Sequence, residues 1–416
     1  MSRNNPAQIA STMLSWHSLD LITCEPLQTL WAGYGQICSI TATARTAAAA
    51  THLNKLCNIP PSSNGTNNTY ALILKLISPP NSNSTDEGHI RKMLSYEIEQ
   101  YFYTNIVPHL CDIGVAKCLA STRDMHGKPG AEQLSGLMAT IMVDLRPQYP
   151  VAGEKRGVLD SVQVFGALDW LASFHSRTRG LVPDDREGLV LPPLEEMEKR
   201  KKEGGKNGCN GLWLNGGYTY LATRRKEYAS LLDDTGSEWC EALCIDSDGT
   251  GMSIAEIVAF LLMPCGRKME SYIHGDVKSE NLFTSAKGDE VAFFDFQYVG
   301  LGLGVCDLAK LFTCSVPVSM LVGGDGDLPE KLGMCDGERD LLEWYHSRLV
   351  ENEEAGFYEW EEFKRHWETA LVDWCRFQAS WGFWGNTEWL EARVRSILGD
   401  RDWKDWLYRE RVRRPI

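Results

Sequence analysis

The sequence predicts an α+β protein with two lobes, a small β-rich amino-terminal lobe and a larger, mostly helical carboxy-terminal lobe. Its 416 residues exceed what one hydrophobic core usually supports, so two lobes are the natural expectation. Apolar, β-branched runs such as Tyr70–Ile77 and Leu137–Leu145 fall in the first part of the chain, whereas the chain after Asp307 follows a helical pattern. We therefore expect one lobe over residues 1–145 and the other over residues 146–416.

In the first lobe, the strand Tyr70–Ile77 contains one lysine, Lys75, among apolar residues. An unpaired buried ammonium is costly, so Lys75 must face an opening or an acidic partner. The segment Ile90–Ile106 is predicted to be the next helix, and it offers Glu97 and Glu99. On charge alone either glutamate can be the partner, and either can be a solvated helix residue.

Local signals also mark helices in the second lobe. Asp160 with Gln163 forms a capping box at the start of one helix, and a second capping box opens the helix Ser253–Met263. Tryptophan recurs every seven residues from Trp360 to Trp381, which keeps one helix face apolar. We expect that face to pack into the core of the lobe, and a dimer seam is the alternative.

The strongest functional signal lies between Ser271 and Phe312. Asp276 follows a strand-like run in a tight loop, Asn281 comes five residues later, and Asp295 comes fourteen residues further on, after an apolar run. A loop carboxylate can accept the proton of an acceptor hydroxyl, and amide and carboxylate oxygens suit Mg²⁺. Any one of these residues alone is more usual in a turn or cap. The joint spacing predicts phosphoryl transfer from ATP, with Asp276 as catalytic base and Asn281 and Asp295 as Mg²⁺ ligands. His274 is expected to pack beneath the loop.

The stretch HGDVKSEN, followed by Asp-Phe-Gln from Asp295, resembles a known group: the aminoglycoside phosphotransferases, choline kinases and ecdysteroid kinase-like proteins. The resemblance implies a protein-kinase-like fold, ATP and Mg²⁺ as cofactors, and a small-molecule hydroxyl as acceptor. Gln297 stands where protein kinases have Gly, and the chain reaches Asp307-Leu308-Ala309 without an Ala-Pro-Glu segment or a long activation segment. These departures disfavour a protein substrate.

The resemblance also assigns roles in the first lobe. Gly33 and Gly35, which by themselves indicate only a turn, would cover the phosphates of the nucleotide. Adenine would bind to the backbone near the end of the strand Leu137–Leu145, and Met142 and Asp144 are the predicted contacts.

Lys75 would then anchor the α- and β-phosphates of the nucleotide. Glu99 is preferred to Glu97 as its partner, because Tyr103 and Pro108 follow Glu99 at the spacing of the ecdysteroid kinase-like proteins.

Two further segments bear on the acceptor. Gly216–Arg225 resembles a Gly-Gly-Tyr…Thr-Arg segment of fungal members of the superfamily, but its role does not follow from the sequence. It can shape the substrate side or brace an inserted helix. Trp384 and Trp389 lie in a less regular stretch, where aromatic faces are able to hold an ammonium group as in choline kinases.

The composition limits the partners. A formal charge of −14 disfavours nucleic acid and suits a cationic substrate, although acidity also serves solubility alone. Thirteen cysteines without CxxC pairs indicate a reducing compartment. No signal peptide or membrane span is recognisable, so we expect a cytoplasmic protein with a small-molecule partner. The oligomeric state is not predicted.

The sequence therefore predicts an ATP- and Mg²⁺-dependent phosphotransferase that acts on the hydroxyl of a small molecule. The alternative from another class is an ATP-binding scaffold with little or no phosphotransfer activity. A protein kinase is a third and less favoured hypothesis.

Overall fold

The structure is a computed structural model and describes residues 5–59, 69–79, 86–204, 208–246, 249–324 and 326–414. Loops predicted from Pro, Ser, Asn and Gly content at Pro60–Asn68 and Pro79–Gly88 lie wholly or mostly outside these residues. The chain divides into two compact units. The first comprises Met1–Gln148 and Lys206–Gly211, and the second comprises Tyr149–Gly205 and Leu212–Ile416.

The first unit is built on a five-stranded antiparallel sheet of order β1-β2-β3-β5-β4. Its strands are β1 (Leu19–Thr29), β2 (Gly35–Ala44), β3 (Thr69–Ile77), β4 (Cys118–Ser121) and β5 (Met138–Val143). The two apolar runs noted in the sequence form β3 and β5, which pair directly. In β3 the alternate residues Leu72, Leu74 and Leu76 are fully buried, so one face of the sheet forms the core.

The helices of the first unit begin at side-chain caps. They are α1 (Pro6–Ser15), α2 (Ala47–Leu56) and α3 (Glu87–Tyr101). The carboxylate of Asp86 accepts a hydrogen bond from the His89 amide at 2.9 Å, which satisfies one free donor in the first turn of α3. A π-helical turn, Phe102–Ile106, continues α3, so the predicted helix Ile90–Ile106 is confirmed.

The second unit is mostly helical. Its described helices are α4 (Ser161–Arg179), α5 (Pro193–Lys202), α6 (Arg225–Asp233), α7 (Ile254–Leu262), α8 (Val305–Cys314), α9 (Val318–Val322), α10 (Asp336–Val350), α11 (Trp360–Trp381), α12 (Thr387–Gly399) and α13 (Arg401–Arg413). Both predicted capping boxes are present, at the starts of α4 and α7. The strand-rich first unit and the helical second unit confirm the α+β fold class.

The repeated tryptophans all lie on α11. Trp367 and Trp374 are buried, as expected of a core face, whereas Trp381 is 55% exposed. The prediction of a core position is therefore wrong for Trp381, which ends the helix just before Gly382.

Short strands in the second unit position the predicted catalytic residues. They are β6 (Val151–Ala152), β7 (Ser271–Ile273), β8 (Leu282–Thr284), β9 (Val291–Phe293) and β10 (Gly300–Gly302). β8 and β9 form an antiparallel hairpin edged by β6, and β7 pairs with β10. The loops after β7 and β9 hold Asp276 and Asp295.

Candidate active site

The loop after β7 holds Asp276 in a buried position, with 8% of the residue exposed. The turn depends on Gly275, whose φ is +84°. A Cβ at Gly275 would lie only 2.4 Å from the Tyr298 carbonyl oxygen, so both the dihedral angle and the space require glycine. The loop is thereby folded tightly against the segment that follows Asp295.

His274 lies beneath this loop and is fully buried. Its Nδ1 accepts a hydrogen bond from the Asp276 amide at 3.2 Å. Nε2 must therefore carry the ring proton, and it donates to the Phe294 carbonyl at 2.9 Å. Burial lowers the pKa of His274 and outweighs the nearby carboxylates. The histidine joins the Asp276 loop to the Asp295 segment and has the packing role expected from the sequence.

Asp307 supports the loop from below. Its carboxylate accepts the backbone amides of His274 at 2.7 Å and Gly275 at 2.9 Å. It also contacts Nε2 of His175 at 3.2 Å, and Nδ1 of His175 lies 2.8 Å from the Tyr345 hydroxyl. Burial would raise the pKa of Asp307, but the hydrogen bond and charge of His175 outweigh it and lower that pKa. These groups hold the loop in one geometry.

Sequence reasoning missed this support. Asp307 belongs to a segment noted only for its resemblance, and nothing in the sequence analysis pointed to His175. The available signal was a histidine in the apolar helix α4, because a buried imidazole needs hydrogen-bond partners.

Asn281 fixes the carboxylate of Asp276. Its side-chain amide nitrogen donates to the Asp276 backbone oxygen at 2.8 Å and to Oδ2 at 3.0 Å. Because both bonds use Nδ2, the Oδ1 atom of Asn281 faces away from Asp276 and can serve as a ligand.

Lys278 places a positive charge beside the same carboxylate. Its Nζ lies 3.2 Å from Asp276 Oδ2 and 2.8 Å from Glu280 Oε1. Burial would lower the pKa of Lys278, but attraction to Asp276 and Glu280 outweighs it and raises that pKa above its ordinary value. The lysine therefore stays protonated at neutral pH.

The register of the hairpin brings Asp295 next to Asn281. Leu282 pairs with Phe293, and the Phe294 amide donates to the Asn281 carbonyl at 3.0 Å. Asp295 follows directly, with φ 64° and ψ 59°. This left-handed conformation is uncommon for a residue with a side chain and is typical of functional sites. Asp276, Asn281 and Asp295 thus share one small region of the second unit.

Carboxylate and amide oxygens from only two side chains suit Mg²⁺, which completes its shell with phosphates and water. Asn281 and Asp295 therefore fit that ion. Within the described ranges, neither this site nor any other brings together three or more His, Cys, Asp or Glu side chains that could hold a metal, so the ion would have only these two protein ligands.

In the first unit, Lys75 on β3 pairs with Glu99 on α3. The Nζ and Oε2 atoms are 2.6 Å apart, and 9% and 6% of the two side chains are exposed. Glu97 instead accepts a hydrogen bond from the Cys209 thiol at 3.2 Å. The structure therefore joins Lys75 to Glu99, while Glu97 faces the segment around Cys209.

The two predicted phosphate-loop glycines lie in the β1–β2 turn. Gly35 begins β2, where a Cβ would lie 2.1 Å from the Leu76 carbonyl oxygen, so the close approach of β2 and β3 requires glycine. Gly33 has φ 72° and open space around it. The Lys92 ammonium lies 4.0 Å from the ring centre of Trp31 in the same turn, which ties the turn to α3.

The predicted adenine contacts lie at the end of β5. Met142 is buried between Ile73 of β3 and Cys118 of β4. The Asp144 carboxylate is paired with Arg146 at 2.6 Å. Its side chain is therefore engaged within the unit, and the Asp144 amide donates to the Ala71 carbonyl at 3.4 Å.

The aromatic stretch after α11 differs from the prediction. Trp389 is fully buried, which rules it out as a face for an ammonium ligand in this conformation. Trp384 is half-buried and meets Trp374 and Phe377 edge-on, at 5.4 and 6.0 Å between ring centres. Of the two tryptophans, Trp389 cannot take the ammonium-binding role that the sequence left open.

A model of the phosphotransferase enzyme family, abbreviated APH, matches residues 253–327. This span is less than a fifth of the chain, but it contains Asp276, Asn281 and Asp295. The match confirms, for this segment, the predicted resemblance to the phosphotransferase superfamily. No curated protein matches the chain in sequence. Across the described residues, none of the helices is both long and apolar enough to cross a membrane.

Solved structures similar to the chain include three small-molecule kinases. Ethanolamine kinase of Plasmodium vivax shares 12% identity at a TM-score of 0.42, over 92% of this chain and 84% of its own. Amicoumacin kinase in complex with AMP-PNP, Ca²⁺ and Ami shares 14% at 0.39, over 99% and 93%. Macrolide 2'-phosphotransferase of Brachybacterium faecium shares 13% at 0.39, over 93% and 96%. At these scores the likeness does not identify an activity.

Proposed function

We propose that the protein is an ATP- and Mg²⁺-dependent phosphotransferase that acts on the hydroxyl of a small molecule. The observation that carries this proposal is the Asn281 amide. Its nitrogen fixes the Asp276 carboxylate at 3.0 Å and leaves its oxygen for a metal next to Asp295. In this proposal a base and a metal site would lie side by side, as phosphoryl transfer requires.

Asp276 acts as the base in this scheme. Among the described residues, Asn281 and Lys278 both bind its Oδ2 atom, so Oδ1 is the oxygen left for the acceptor hydroxyl. As the acceptor oxygen forms its bond to the γ-phosphorus, its proton passes to Asp276 and the bond to the leaving ADP breaks. Such a base contributes typically about 10²–10⁴-fold in rate.

Asn281 Oδ1 and the Asp295 carboxylate would hold Mg²⁺, whose charge neutralises the phosphates when it is bound. Lys278 adds a second positive group beside Oδ2 of Asp276. It is well placed to meet the negative charge that develops on the transferred group.

The first unit would bind the rest of the nucleotide. Lys75, oriented by Glu99, would contact the α- and β-phosphates, and the turn with Gly33 and Gly35 would cover them. The Val143 and Asp144 amides already donate to backbone oxygens of Lys117 and Ala71, at 2.9 and 3.4 Å. Adenine bonding would therefore fall to the backbone that follows, at Leu145.

The proposal also includes the chemical class of the acceptor and the cellular compartment. The acceptor is a small molecule rather than a nucleic acid or a membrane, because the chain is acidic and its site resembles those of small-molecule kinases. The cysteine content suits the reducing cytoplasm.

Mass spectrometry of a metabolite extract tests this function. The extract is incubated with ATP and Mg²⁺ and with either the wild-type protein or Asp276→Asn. We expect a species one phosphoryl group heavier with the wild type only, and its loss when EDTA is added. The product also identifies the acceptor.

Two other results would change the conclusion. ATP binding without any phosphorylated metabolite would favour the scaffold hypothesis. Phosphorylation of a panel of proteins but of no metabolite would favour a protein kinase. Asp276→Asn should still unfold cooperatively well above the assay temperature, so that its loss of activity is not a loss of folding.

A further inference from the structure

An aromatic box in the second unit is filled by one of the protein's own cations. The guanidinium carbon of Arg224 lies 5.5 Å from the ring centre of Tyr218, 5.4 Å from that of Phe377 and 5.0 Å from that of Trp381. Aromatic faces attract cations at such distances, and several rings around one cation are the usual way to hold an ammonium ligand. Here the cation belongs to the chain.

Arg224 is held firmly inside the box. It is buried, with 6% of the residue exposed. Its Nε donates to the Tyr218 carbonyl at 2.6 Å, and its Nη1 donates to Glu227 at 3.0 Å. Trp381 is 55% exposed, so this ring forms the solvent side of the box. The guanidinium is therefore neutralised and anchored, while the box itself borders solvent.

The box is attached directly to the catalytic loop. The Gly217 amide, next to Tyr218, donates to the Tyr298 carbonyl at 2.9 Å. A Cβ at Gly275 would lie 2.7 Å from the Gly217 nitrogen, so this segment touches the residue before Asp276. The Tyr218 ring also packs on Tyr298, at 4.8 Å between ring centres. This explains the Gly-Gly-Tyr segment: its glycines permit close approach to the loop, and its tyrosine forms a wall beside the base.

A second buried cation lies against the same segment. Lys310 donates to the Cys306 carbonyl at 3.3 Å and lies 5.8 Å from the ring centre of Trp374. A small cavity next to Lys310 is lined by Cys306, Asp373 and Trp374. The aromatic rings beside the Asp276 loop are thus in contact with the protein's own cations, Arg224 and Lys310.

The acidic groups in this region already have cationic partners. Glu227 pairs with Arg224 at 3.0 Å, and Asp373 pairs with Arg376 at 2.9 Å. In the part of the chain that the structure describes, no carboxylate lies within ion-pairing distance of Lys310. An external ammonium group would therefore meet occupied rings and neutralised carboxylates.

We propose that Arg224 occupies this aromatic box as an internal cation and so excludes ammonium compounds, which makes the acceptor a neutral or anionic hydroxyl compound. The proposal rests on the proposed phosphotransferase function and narrows its substrate class. It reverses the expectation of a cationic acceptor drawn from the net charge. The charge of the whole chain does not set the charge beside the base.

Calorimetric titration with tetramethylammonium tests the box without any need for catalysis. The wild type should not bind it at millimolar concentration. Arg224→Ala and Arg224→Ser empty the box and release Glu227, so both should bind tetramethylammonium at least about tenfold more tightly than the wild type. Arg224→Lys retains a cation and should behave like the wild type.

Arg395→Ala is the matched control. Arg395 also has an aromatic contact, with Trp239 at 5.5 Å, and a carboxylate partner, Glu238. Of the rings in the described ranges, only that of Trp239 faces Arg395, so its removal should create no binding. The proposal is overturned if the wild type binds tetramethylammonium as tightly as the Arg224 variants do. The proposal is also overturned if the Arg224→Ala and Arg224→Ser proteins both fold and neither binds tetramethylammonium.

A second experiment uses only the wild-type protein and remains decisive if the variants fail to fold. Choline and ethanolamine are compared with neutral and anionic hydroxyl compounds as acceptors, with ATP and Mg²⁺. Transfer to either ammonium alcohol overturns the proposal, and transfer confined to the other compounds supports it. If no compound is phosphorylated, the proposed function fails on its own, and the calorimetric result still decides the box.

Discussion

The Lys75–Glu99 pair of the first unit and the Asp276 loop of the second unit are held in different ways. Lys75 forms a short ion pair of 2.6 Å with Glu99 between two buried side chains, and its ammonium lies 5.6 Å from the ring centre of Tyr96. Asp276 depends on successive bonds through Asn281 and His274, and through Asp307 below them. In a buried ion pair much of the energy resides in the two opposite charges, whereas a hydrogen-bond network spreads it over several groups. We therefore expect one large loss of stability when a charge of the pair is removed, and losses of graded size when members of the Asp276 network are replaced.

The largest loss of stability is expected from Lys75→Met. It leaves Glu99 buried without its charge partner, which typically costs about 3–5 kcal/mol of unfolding free energy. Lys75→Met combined with Glu99→Leu removes both charges and should regain most of that loss. Urea unfolding of the three proteins measures both effects.

Lys55→Met is the control for this comparison, because Lys55 is exposed on α2. It should change the unfolding free energy by less than about 0.5 kcal/mol. If the double variant is as unstable as Lys75→Met, the loss of stability does not come from the uncompensated charge of Glu99. The predicted difference between this pair and the Asp276 loop would then be wrong.

Asp307→Asn should cost about 3 kcal/mol. The carboxylate accepts two backbone amides and contacts His175, and hydrogen bonds to a charged group are each worth about 1.5–3 kcal/mol. An asparagine keeps one acceptor oxygen and turns an NH₂ group toward a donor. We also expect slower phosphotransfer, because the loop that holds Asp276 loses its support.

Thermal unfolding and product formation together test this prediction. Asp340→Asn makes the same change at an exposed site on α10 and should leave both properties unchanged. If the Asp307→Asn protein is less stable but transfers phosphate at the wild-type rate, then Asp307 supports the fold but does not position Asp276.

Acid should weaken the second unit through its deeply buried histidines. Burial lowers the pKa of His366 from 6.5 to about 3, and Arg267 and Arg414 act in the same direction. The unfolded state therefore binds the proton first as the pH falls. The unfolding free energy should decrease below about pH 6.5, and by about pH 5 this histidine alone should have cost about 2 kcal/mol.

Urea unfolding at about pH 7.5 and about pH 5, with wild type and His366→Gln, measures that contribution. The variant should lose roughly 2 kcal/mol less between the two conditions than the wild type does. An identical pH dependence in the two proteins would show that His366 is protonated in the folded state at about pH 5.

The smallest effect is expected from Tyr345→Phe. It removes the hydroxyl that lies 2.8 Å from Nδ1 of His175, and such a hydrogen bond is typically worth about 1 kcal/mol. Because Tyr345 acts through His175 and Asp307, phosphotransfer should fall less than in Asp307→Asn. Equal losses of activity in the two variants would contradict a graded network.

Local signals in the sequence were sufficient for much of the fold. The capping boxes predicted the starts of α4 and α7, and the apolar runs predicted β3 and β5. The spacing of Asp276, Asn281 and Asp295 also translated into proximity, because the hairpin between them is short. These features depend on neighbours within a few turns or one hairpin, so residue order is enough to predict them.

Contacts between distant parts of the chain could not be predicted from the sequence and are seen only in the folded structure. Glu97 is engaged by Cys209, 112 residues away, which leaves Glu99 for Lys75. His175 meets Tyr345 across 170 residues. No periodicity encodes such pairings, since they depend on how whole helices and strands pack.

The sequence on its own specified which elements form and which residues are candidates for the proposed phosphoryl transfer, because propensity, capping and spacing act locally. Tertiary packing decided which cation faces which ring or carboxylate, and hence the charge that the proposed site would offer to an acceptor. Arg224 and α11 are far apart in the sequence, and their contact arises only when burial brings the aromatic face of the helix to the Gly-Gly-Tyr segment.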